Sequence, residues 1–173
     1  MGGERRISEF TVGGVSYSLW RFTPTLCAPM PKDLPDAGSD GVPIWRCMLR
    51  LSRGYSVYVL RDGHECVGFA TLRNAGSRYP FIKRGDVLLA PYFIDSGSRG
   101  RGLAKPMLTE AGKDHKGRVF ALVLTDNTAS VKTLSAIGYK DLGFVDTGGF
   151  IKRQTERPTR CKLWMHEGGK DAV

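Results

Sequence analysis

Arginine and glycine alternate in a short segment, Ser98–Ala104, that reads SRGRGLA. The segment follows the apolar run VLLAPYFI and precedes residues whose apolar positions have helical spacing. Glycines let a backbone approach an anion closely, and the first N–H groups of the following helix, together with its dipole, point toward that anion. The chemistry that this order of elements predicts is the binding of a phosphate or pyrophosphate group.

Two familiar phosphate-binding turns are excluded by the residues themselves. A P-loop ends in Gly-Lys followed by Ser or Thr, whereas Lys105 follows Ala104 and precedes Pro106. A dinucleotide-binding turn requires its third glycine where Lys105 stands, and it lies near the start of its domain. A third kind of phosphate-binding turn is therefore needed to account for the segment.

The chain before the glycine turn alternates between strand and helix patterns. Residues 15–22 alternate in the manner of a first strand, and residues 24–43 contain five prolines and predict a loop or a short interrupted helix. Residues 44–51 carry an apolar stripe that predicts an amphipathic helix. Residues 55–60 and 66–72 have the apolar and β-branched content of two strands and predict a hairpin around an Asp-Gly turn.

A long apolar strand, residues 86–95, leads into the glycine turn and has Pro91 in its middle. Because proline lacks the N–H that a neighbouring strand would accept, this strand must be unpaired, bulged or at an edge at that point. The elements predicted after the turn are a helix with the apolar stripe Leu103, Met107, Leu108 and Ala111, a strand at 119–124, a helix that begins at Asn127, and strands at 144–150 and 161–165 around the basic loop 152–160.

Two motifs together carry a resemblance to a known family. Arg99-x-x-Gly102-x-Ala104, between a strand and an amphipathic helix, resembles the acyl-CoA pyrophosphate loop of the GCN5-related N-acetyltransferase (GNAT) superfamily. Residues 127–139, which read NTASVKTLSAIGY, resemble the N-x-x-S helix of the family and the L-x-x-x-G-F turn that follows it. The order of elements matches the family over residues 15–167.

The fold that this resemblance implies is α/β (α+β). A mixed, mostly antiparallel central sheet of about six or seven strands would be flanked by about four helices, with a split between strands four and five. We expect one domain over residues 15–167, an N-terminal extension at 1–14 and a C-terminal tail at 168–173. The position of Pro91 supports the split independently, because it interrupts strand pairing where the family separates its strands.

The resemblance also implies a cofactor site for acetyl-CoA, which would serve as co-substrate. The loop backbone would hold the pyrophosphate, the open strand would pair with the pantetheine arm, and Asn127 would hydrogen-bond that arm, cap its own helix, or do both. The residues that would contact acetyl-CoA are Tyr92, Phe93, Ile94, Arg99, Gly100, Arg101, Gly102, Leu103, Ala104 and Asn127.

The catalytic groups are less regular than the cofactor loop. By the resemblance, the usual base position of the family falls on Leu88 and the usual acid position on Leu134. Asp86 is a candidate base that would act through water, or else a structural residue at the start of its strand. Tyr92 is a candidate acid near the thioester. Tyr139 is the acid if residues 139–144 match the Y-x-x-L-G-F turn of the family, and a core residue in the alignment without gaps.

Composition limits the class of protein. With 173 residues and a formal charge of +9, the chain has room for one domain and favours phosphate-bearing or polyanionic ligands. Its four cysteines lack the paired spacing of a zinc site, so we expect no metal. No segment approaches the about 20 apolar residues of a membrane helix, and the opening MGGERRISEF lacks the apolar core of a signal peptide. We therefore expect a cytoplasmic protein without a membrane partner.

Two functions from different classes follow. The first is direct acetyl transfer from acetyl-CoA to a primary amine on a small molecule, a protein N-terminus or a lysine. The second is a non-catalytic basic module on the same fold that binds nucleic acid or protein, motivated by the +9 charge and by Leu88 and Leu134. The resemblance implies that residues 23–43 and 150–160 would select the acceptor, and these segments carry no specific motif. It also makes a homodimer possible, since dimers are common among members of the family.

Overall fold

Strands form where apolar residues recur with a period of two, and helices form where they recur with the period of a helix. The structure, a computed structural model, describes residues 3–34, 54–74, 82–146 and 160–168. Within those residues the elements are β1 (Gly3–Val12), β2 (Val15–Thr23), β3 (Tyr55–Asp62), β4 (Glu65–Arg73), β5 (Val87–Ile94), a 3₁₀ turn (Ser96–Ser98), α1 (Ala104–Lys113), β6 (Val119–Leu124), α2 (Thr128–Ala136), β7 (Lys140–Asp146) and β8 (Arg160–His166).

All of these strands join one sheet in the order β1-β2-β3-β4-β5-β6-β8-β7. Every neighbouring pair is antiparallel except β5 and β6, which are parallel because the chain crosses from one to the other through α1. The predicted mixed, mostly antiparallel α+β fold is thus confirmed. The counts differ slightly, since the described residues hold eight strands and two α-helices. The predicted helix at residues 44–51 lies outside the described residues.

The first strand of the sheet was not predicted from the sequence. We expected residues 1–14 to be an extension, whereas β1 pairs with β2 along its whole length through a turn at Gly13 and Gly14. Both glycines have positive φ angles, +58° and +82°, which side chains rarely adopt. Most residues of β1 are exposed, so its sequence lacks the strong apolar alternation that identifies a half-buried strand.

The last two strands also differ from their predicted bounds. We expected residues 144–150 to be a strand, but β7 begins at Lys140, and residues 147–150 and most of the basic loop lie outside the described residues. The pairing register of β7 with β8 shifts between Asp141 and Phe144. Gly143, inside this irregular stretch, has a φ of +91°. A strand that begins with polar residues and contains such a glycine has no clear apolar period.

The main core lies between the sheet and its two described helices. The apolar stripe predicted for α1 is buried there, with Met107 and Ala111 0% exposed. Burying a methionine or leucine side chain stabilises the folded state by about 1.5–3 kcal/mol. The opposite face of the sheet carries two further apolar clusters, around Val57 and around Phe120. Within the described residues neither helix is long and apolar enough to cross a lipid bilayer.

An ion cluster centred on the half-buried Asp114 fixes the C-terminal end of α1 to the sheet. Asp114 follows the last residue of the helix, where the negative end of the helix dipole disfavours a carboxylate. Three donors offset this cost: Arg5 reaches Oδ1 at 2.8 Å, while Arg21 and the Tyr58 hydroxyl reach Oδ2 at 3.0 and 2.9 Å. The contacts join α1 to β1, β2 and β3.

Candidate functional site

The sheet opens between its two parallel strands. The pairing of β5 with β6 consists of three residue pairs, the last of which joins Leu89 to Ala121. Both strands continue beyond that pair, β5 to Ile94 and β6 to Leu124. This is the predicted split, one strand later in our numbering because β1 adds a strand. Separated strands leave backbone N–H and C=O groups along both sides of the opening for a ligand to pair with.

A β-bulge in β5 marks the point where the split begins. Leu89 pairs with Leu72 and Tyr92 pairs with Ala70, so that two residues of β5, Ala90 and Pro91, lie opposite the single residue Thr71. A proline supplies no N–H to the neighbouring strand, and the extra residue of a bulge is where that loss costs least. The expectation that Pro91 interrupts strand pairing is confirmed.

The bulge determines which side chains of β5 face the helices. In a regular strand Tyr92 would point to the face opposite Leu89, because side chains alternate. The extra residue restores it to the same face, and Leu89, Tyr92 and Ile94 all pack against the core beneath α1 and α2. Phe93 points to the other face, where its ring packs on Phe69 with a centroid separation of 6.1 Å.

Tyr92 is held in the opening by a contact from α2. Its hydroxyl donates to Oγ of Ser130 over 2.7 Å. Burial raises the pKa of Tyr92, and the hydrogen bond to Ser130 lowers it in part. The phenol therefore keeps its proton at neutral pH, and its O–H is directed at Ser130 on α2.

The turn after β5 is fixed at its start by Asp95. The Asp95 carboxylate accepts from the Gly97 N–H at 2.9 Å and caps the 3₁₀ turn, while the Asp95 N–H donates to the Val67 carbonyl at 2.9 Å. Ser98 at the end of this turn is buried. The glycine loop thus leaves the sheet in one defined direction.

The glycines of the loop are required by backbone conformation. Gly100 and Gly102 have φ angles of +76° and +80°, and a Cβ atom at either position would meet nothing within 4 Å. The space beside them is therefore open to a ligand. Arg99 donates through Nε to the Ile94 carbonyl at 3.0 Å and lies over the Phe93 ring, and Arg101 donates to the Gly97 carbonyl at 3.2 Å.

The helix that follows the loop begins without a side-chain cap. Leu103 occupies the N-cap position and makes no side-chain hydrogen bond there, and the first turn contains no acidic residue. The first N–H groups of a helix have no partner inside the helix, and the dipole places partial positive charge on them. Open glycines, two loop arginines and an uncapped helix start provide the donor set that a pyrophosphate requires.

Asn127 lies at the start of α2, on the β6 side of the opening. Its Oδ1 accepts from the Ser130 N–H at 3.1 Å, which is an N-cap hydrogen bond. Since capping uses the oxygen, the side-chain NH₂ group is the part of this exposed residue that is left for a ligand.

Asp86 lies at the closed end of the split, away from Tyr92. It accepts from the Lys83 N–H at 2.9 Å, from the Arg118 N–H at 3.2 Å, and from Nε and Nη2 of the Arg118 side chain at 3.2 and 2.6 Å. Burial favours a higher pKa for this carboxyl, but these hydrogen bonds outweigh burial and hold the pKa below its usual value. Asp86 joins the starts of β5 and β6 and is not brought together with the other predicted catalytic residues.

Tyr139 lies just after α2, in the core. It is 7% exposed, and its ring packs on His166 with a centroid separation of 5.2 Å. Burial, and secondarily the nearby Tyr92 hydroxyl, raise its pKa well above the usual range. Leu88 and Leu134, which stand where the family resemblance expects a base and an acid, are 1% and 0% exposed.

One residue of the site was not predicted. Ser130 was noted only as part of the helix motif, yet it contacts both Tyr92 and Asn127. Its spacing of three from Asn127 signals the capping contact, but the bulge that brings Tyr92 to it changes the face of a strand and leaves no spacing signal in sequence. In the described part of the chain no group of three His, Cys, Asp or Glu side chains is placed to hold a metal ion.

Comparison with known proteins gives a family and a fold. The model of the Acetyltransferase (GNAT) family matches residues 19–139. RimL, a ribosomal L7/L12 α-N-protein acetyltransferase solved with coenzyme A, superposes with a TM-score of 0.65 over 96% of this chain and 100% of its own, at 10% identity. RimJ of Mycobacterium smegmatis with CoA-disulfide gives 0.61 over 94% and 87% at 16% identity.

A third similar structure is spermidine N-acetyltransferase from Vibrio cholerae in complex with CoA and spermine. It gives a TM-score of 0.54 over 67% of each chain at 16% identity. A search of curated protein sequences found no match. At these identities the solved structures establish the shared fold.

Proposed function

Because the chain belongs to the GNAT acetyltransferase family, we propose that it transfers an acetyl group from acetyl-CoA directly to a primary amine. One observation carries the proposal: pairing between β5 and β6 stops at Leu89 while β5 continues to Ile94, directly before a glycine loop and an uncapped helix start. A slot for an extended amide chain thus leads to a site for a pyrophosphate, which is the order of groups in acyl-CoA.

The residues of this chain fit acetyl-CoA by their donors. The N–H groups from Gly100 to Ala104 and the guanidinium of Arg101 would hold the pyrophosphate. The backbone of Tyr92, Phe93 and Ile94 would pair with the amides of the pantetheine arm, as a neighbouring strand would. The side-chain NH₂ of Asn127 would donate to that arm from the other side of the opening.

Acetyl-CoA supplies an activated acyl group: the amine nitrogen forms a bond to the acetyl carbon, the carbon–sulfur bond breaks, the thiolate leaves and the nitrogen loses a proton. A lysine-type amine has a pKa near 10.4 and is mostly protonated at neutral pH, so it must first lose a proton. We assign that proton to solvent water. We assign the stabilisation of the leaving thiolate to the Tyr92 hydroxyl: its O–H would turn from Oγ of Ser130 to the sulfur, and the Ser130 hydroxyl would then donate to the phenol oxygen.

The other two predicted catalytic residues are given structural roles in this proposal. Both carboxylate oxygens of Asp86 accept hydrogen bonds at the closed end of the split. Tyr139 is packed in the core. Neither arrangement leaves a group to exchange protons with an amine in the opening. The acceptor is a primary amine on a small molecule or on a protein.

The test is the thermal stability of the full chain with and without acetyl-CoA. A ligand that binds only the folded state at 100 times its Kd adds about 2.7 kcal/mol to the free energy of unfolding. The same measurement is made on Gly102→Glu, whose side chain would enter the pyrophosphate site. Gly14→Glu is the matched control, because Gly14 has nearly the same φ angle of +82° and equally open surroundings in the β1–β2 turn.

We expect wild type and Gly14→Glu to be stabilised and Gly102→Glu to show no gain. Thiol release from acetyl-CoA is then screened against amines and peptides. If acetyl-CoA stabilises none of the proteins, the proposal fails, and salt-dependent binding of nucleic acid becomes the next measurement. If Gly102→Glu is stabilised as much as the control, the loop is not the pyrophosphate site.

A further inference from the structure

A cavity of about 280 Å³ lies at the end of the sheet away from the glycine loop, beside the C-terminus of α1. At this end β2 and β4 finish and β3 and β5 begin. No residue of the acetyl-CoA site proposed above lines this cavity. The lining of the cavity includes Arg21, Ser56, Tyr58, Leu72, Val87 and His115.

The charge at this cavity is positive. Asp114 compensates both Arg5 and Arg21, so one carboxylate faces two guanidinium groups. The Arg21 side chain lines the cavity and is 35% exposed, whereas the Asp114 side chain is 12% exposed and is not part of the lining. An approaching solute therefore meets the cation and not the carboxylate.

The hydrogen bonds of Arg21 to the protein are incomplete. Its Nη1 donates to Asp114 at 3.0 Å, while its Nε is buried and has no acceptor among the described residues. A buried donor without an acceptor is destabilising unless a solvent or ligand atom completes it. A small rotation of the guanidinium toward an anion in the cavity would supply that acceptor.

His115 also lines the cavity. Its Nε2 lies 2.9 Å from the Gly85 carbonyl, and because a carbonyl only accepts, Nε2 carries a proton and Nδ1 is left for another partner. Leu72 and Val87 form the apolar floor of the cavity; both belong to the main core and are 4% and 6% exposed. Tyr58 remains neutral, because burial and Asp114 raise its pKa.

We propose that this cavity binds a small organic carboxylate, independently of acetyl-CoA. Its carboxylate would lie against Arg21, and its hydrocarbon part would contact Leu72, Val87 and the ring of His115. A guanidinium provides the planar donor edge that matches a carboxylate. The apolar floor distinguishes this ligand class from inorganic anions, which would gain nothing from Leu72 or Val87.

The test is a titration of the ¹⁵N-labelled full chain with benzoate, followed by backbone amide shifts. We expect saturable shifts at Ser56, Asn74 and His115, and none at Gly100 or Gly102. Arg21→Met should weaken the affinity at least about tenfold, which corresponds to about 1.4 kcal/mol. Arg5→Met is the matched control, because Arg5 binds the same Asp114 but does not line the cavity, and it should bind benzoate as wild type does.

His115→Ala is a second variant outside the ion cluster, used if Arg21→Met loses its dispersed spectrum, and it should also weaken binding because it removes a ring that lines the cavity. The proposal is overturned if benzoate gives no saturable shifts up to about 10 mM, a range in which even weak complexes are seen. It is also overturned if Arg5→Met and Arg21→Met lose affinity equally, or if inorganic phosphate binds as well as benzoate.

Discussion

The hydroxyl of Tyr92 on β5 donates to Oγ of Ser130 on α2 over 2.7 Å. It joins the strand that would pair with a pantetheine arm to the helix whose first residue is capped by Asn127. The phenol is thereby fixed beside the place where a thioester would lie.

Replacement of Tyr92 by Phe should lower kcat for acetyl transfer by about 10²-fold or more, because positioned proton donors contribute factors of this size. KM for acetyl-CoA should change little, since the strand backbone is retained. Ser130→Ala should lower kcat less, because the phenol remains but loses its orientation. Tyr139→Phe is the control and should retain activity, and a large loss in that variant would assign the acid to Tyr139 instead. Thiol release under saturating substrate measures all of these.

Deletion of Pro91 should abolish acetyl-CoA binding, whereas Pro91→Ala should retain it. A strand that loses its one extra residue moves every later side chain to the other face. Tyr92 and Ile94 would then leave the helix side of the sheet, and the opening beside Ala121 would close or fill. Thermal shift with acetyl-CoA distinguishes the two proteins, and far-UV circular dichroism checks that both are folded. A deletion variant that still binds would contradict the role given to the bulge.

Two substitutions at Asn127 distinguish its role as a helix cap from its role in ligand binding. Asn127→Ala should destabilise the protein by about 0.5–2 kcal/mol through loss of the N-cap, and should also weaken acetyl-CoA binding. Asn127→Ser should keep the stability, because serine caps helices well, and should still lose the affinity that the NH₂ group supplies. Urea denaturation gives the free energy of unfolding, and calorimetric titration gives Kd. If the serine variant binds acetyl-CoA like wild type, Asn127 is only a cap.

Asp86→Asn should reduce stability at neutral pH and leave acetyl transfer intact in the folded protein. The pKa of this carboxyl is lowered in the folded state, so its stabilisation is present above the unfolded value of about 3.9 and is lost as pH falls through the folded pKa. At pH 7 the loss should be about 1–3 kcal/mol, the range for charged hydrogen bonds. The difference between wild type and variant should shrink at low pH.

The control for this measurement is Asp141→Asn. Asp141 also pairs with a cation, Lys162, but both side chains are about one-third exposed, at 34% and 32%. Exposed ion pairs are screened by solvent, so this variant should have nearly the wild-type stability at every pH. Equal losses of stability at the two positions would show that the buried Asp86 pair stabilises the fold no more than the exposed Asp141 pair does.

Local signals in the sequence were sufficient to predict the glycine turn and the helix that follows it. The apolar stripe of α1 predicts its buried face, and the Arg-Gly alternation predicts the turn, because both depend on neighbours within a few residues. The interruption at Pro91 is likewise predicted from the missing N–H of proline. The resemblance to the family adds the split, which the pairing of β5 and β6 confirms.

Relations between distant segments could not be predicted in the same way. Asp86 is a carboxylate two residues before Leu88 on a strand, and only the fold shows that Arg118 closes over it. Ser130 reaches Tyr92 because a bulge changes the face of β5. The polar sequence of β1 gives no clear strand signal, because the strand depends on its pairing with β2. In each case the deciding contact lies between residues that no local period connects.

The three residue pairs between β5 and β6 also have a mechanical consequence. Within the described residues they are the hydrogen-bonded seam between a block of five strands, β1 to β5, and a block of three, β6, β8 and β7. A pantetheine arm bound in the opening would extend this seam by adding hydrogen bonds between the two blocks of strands. Amide exchange in β6 and β8 should accordingly slow on acetyl-CoA binding, while exchange in β2 and β3, inside the larger block, should stay as it was.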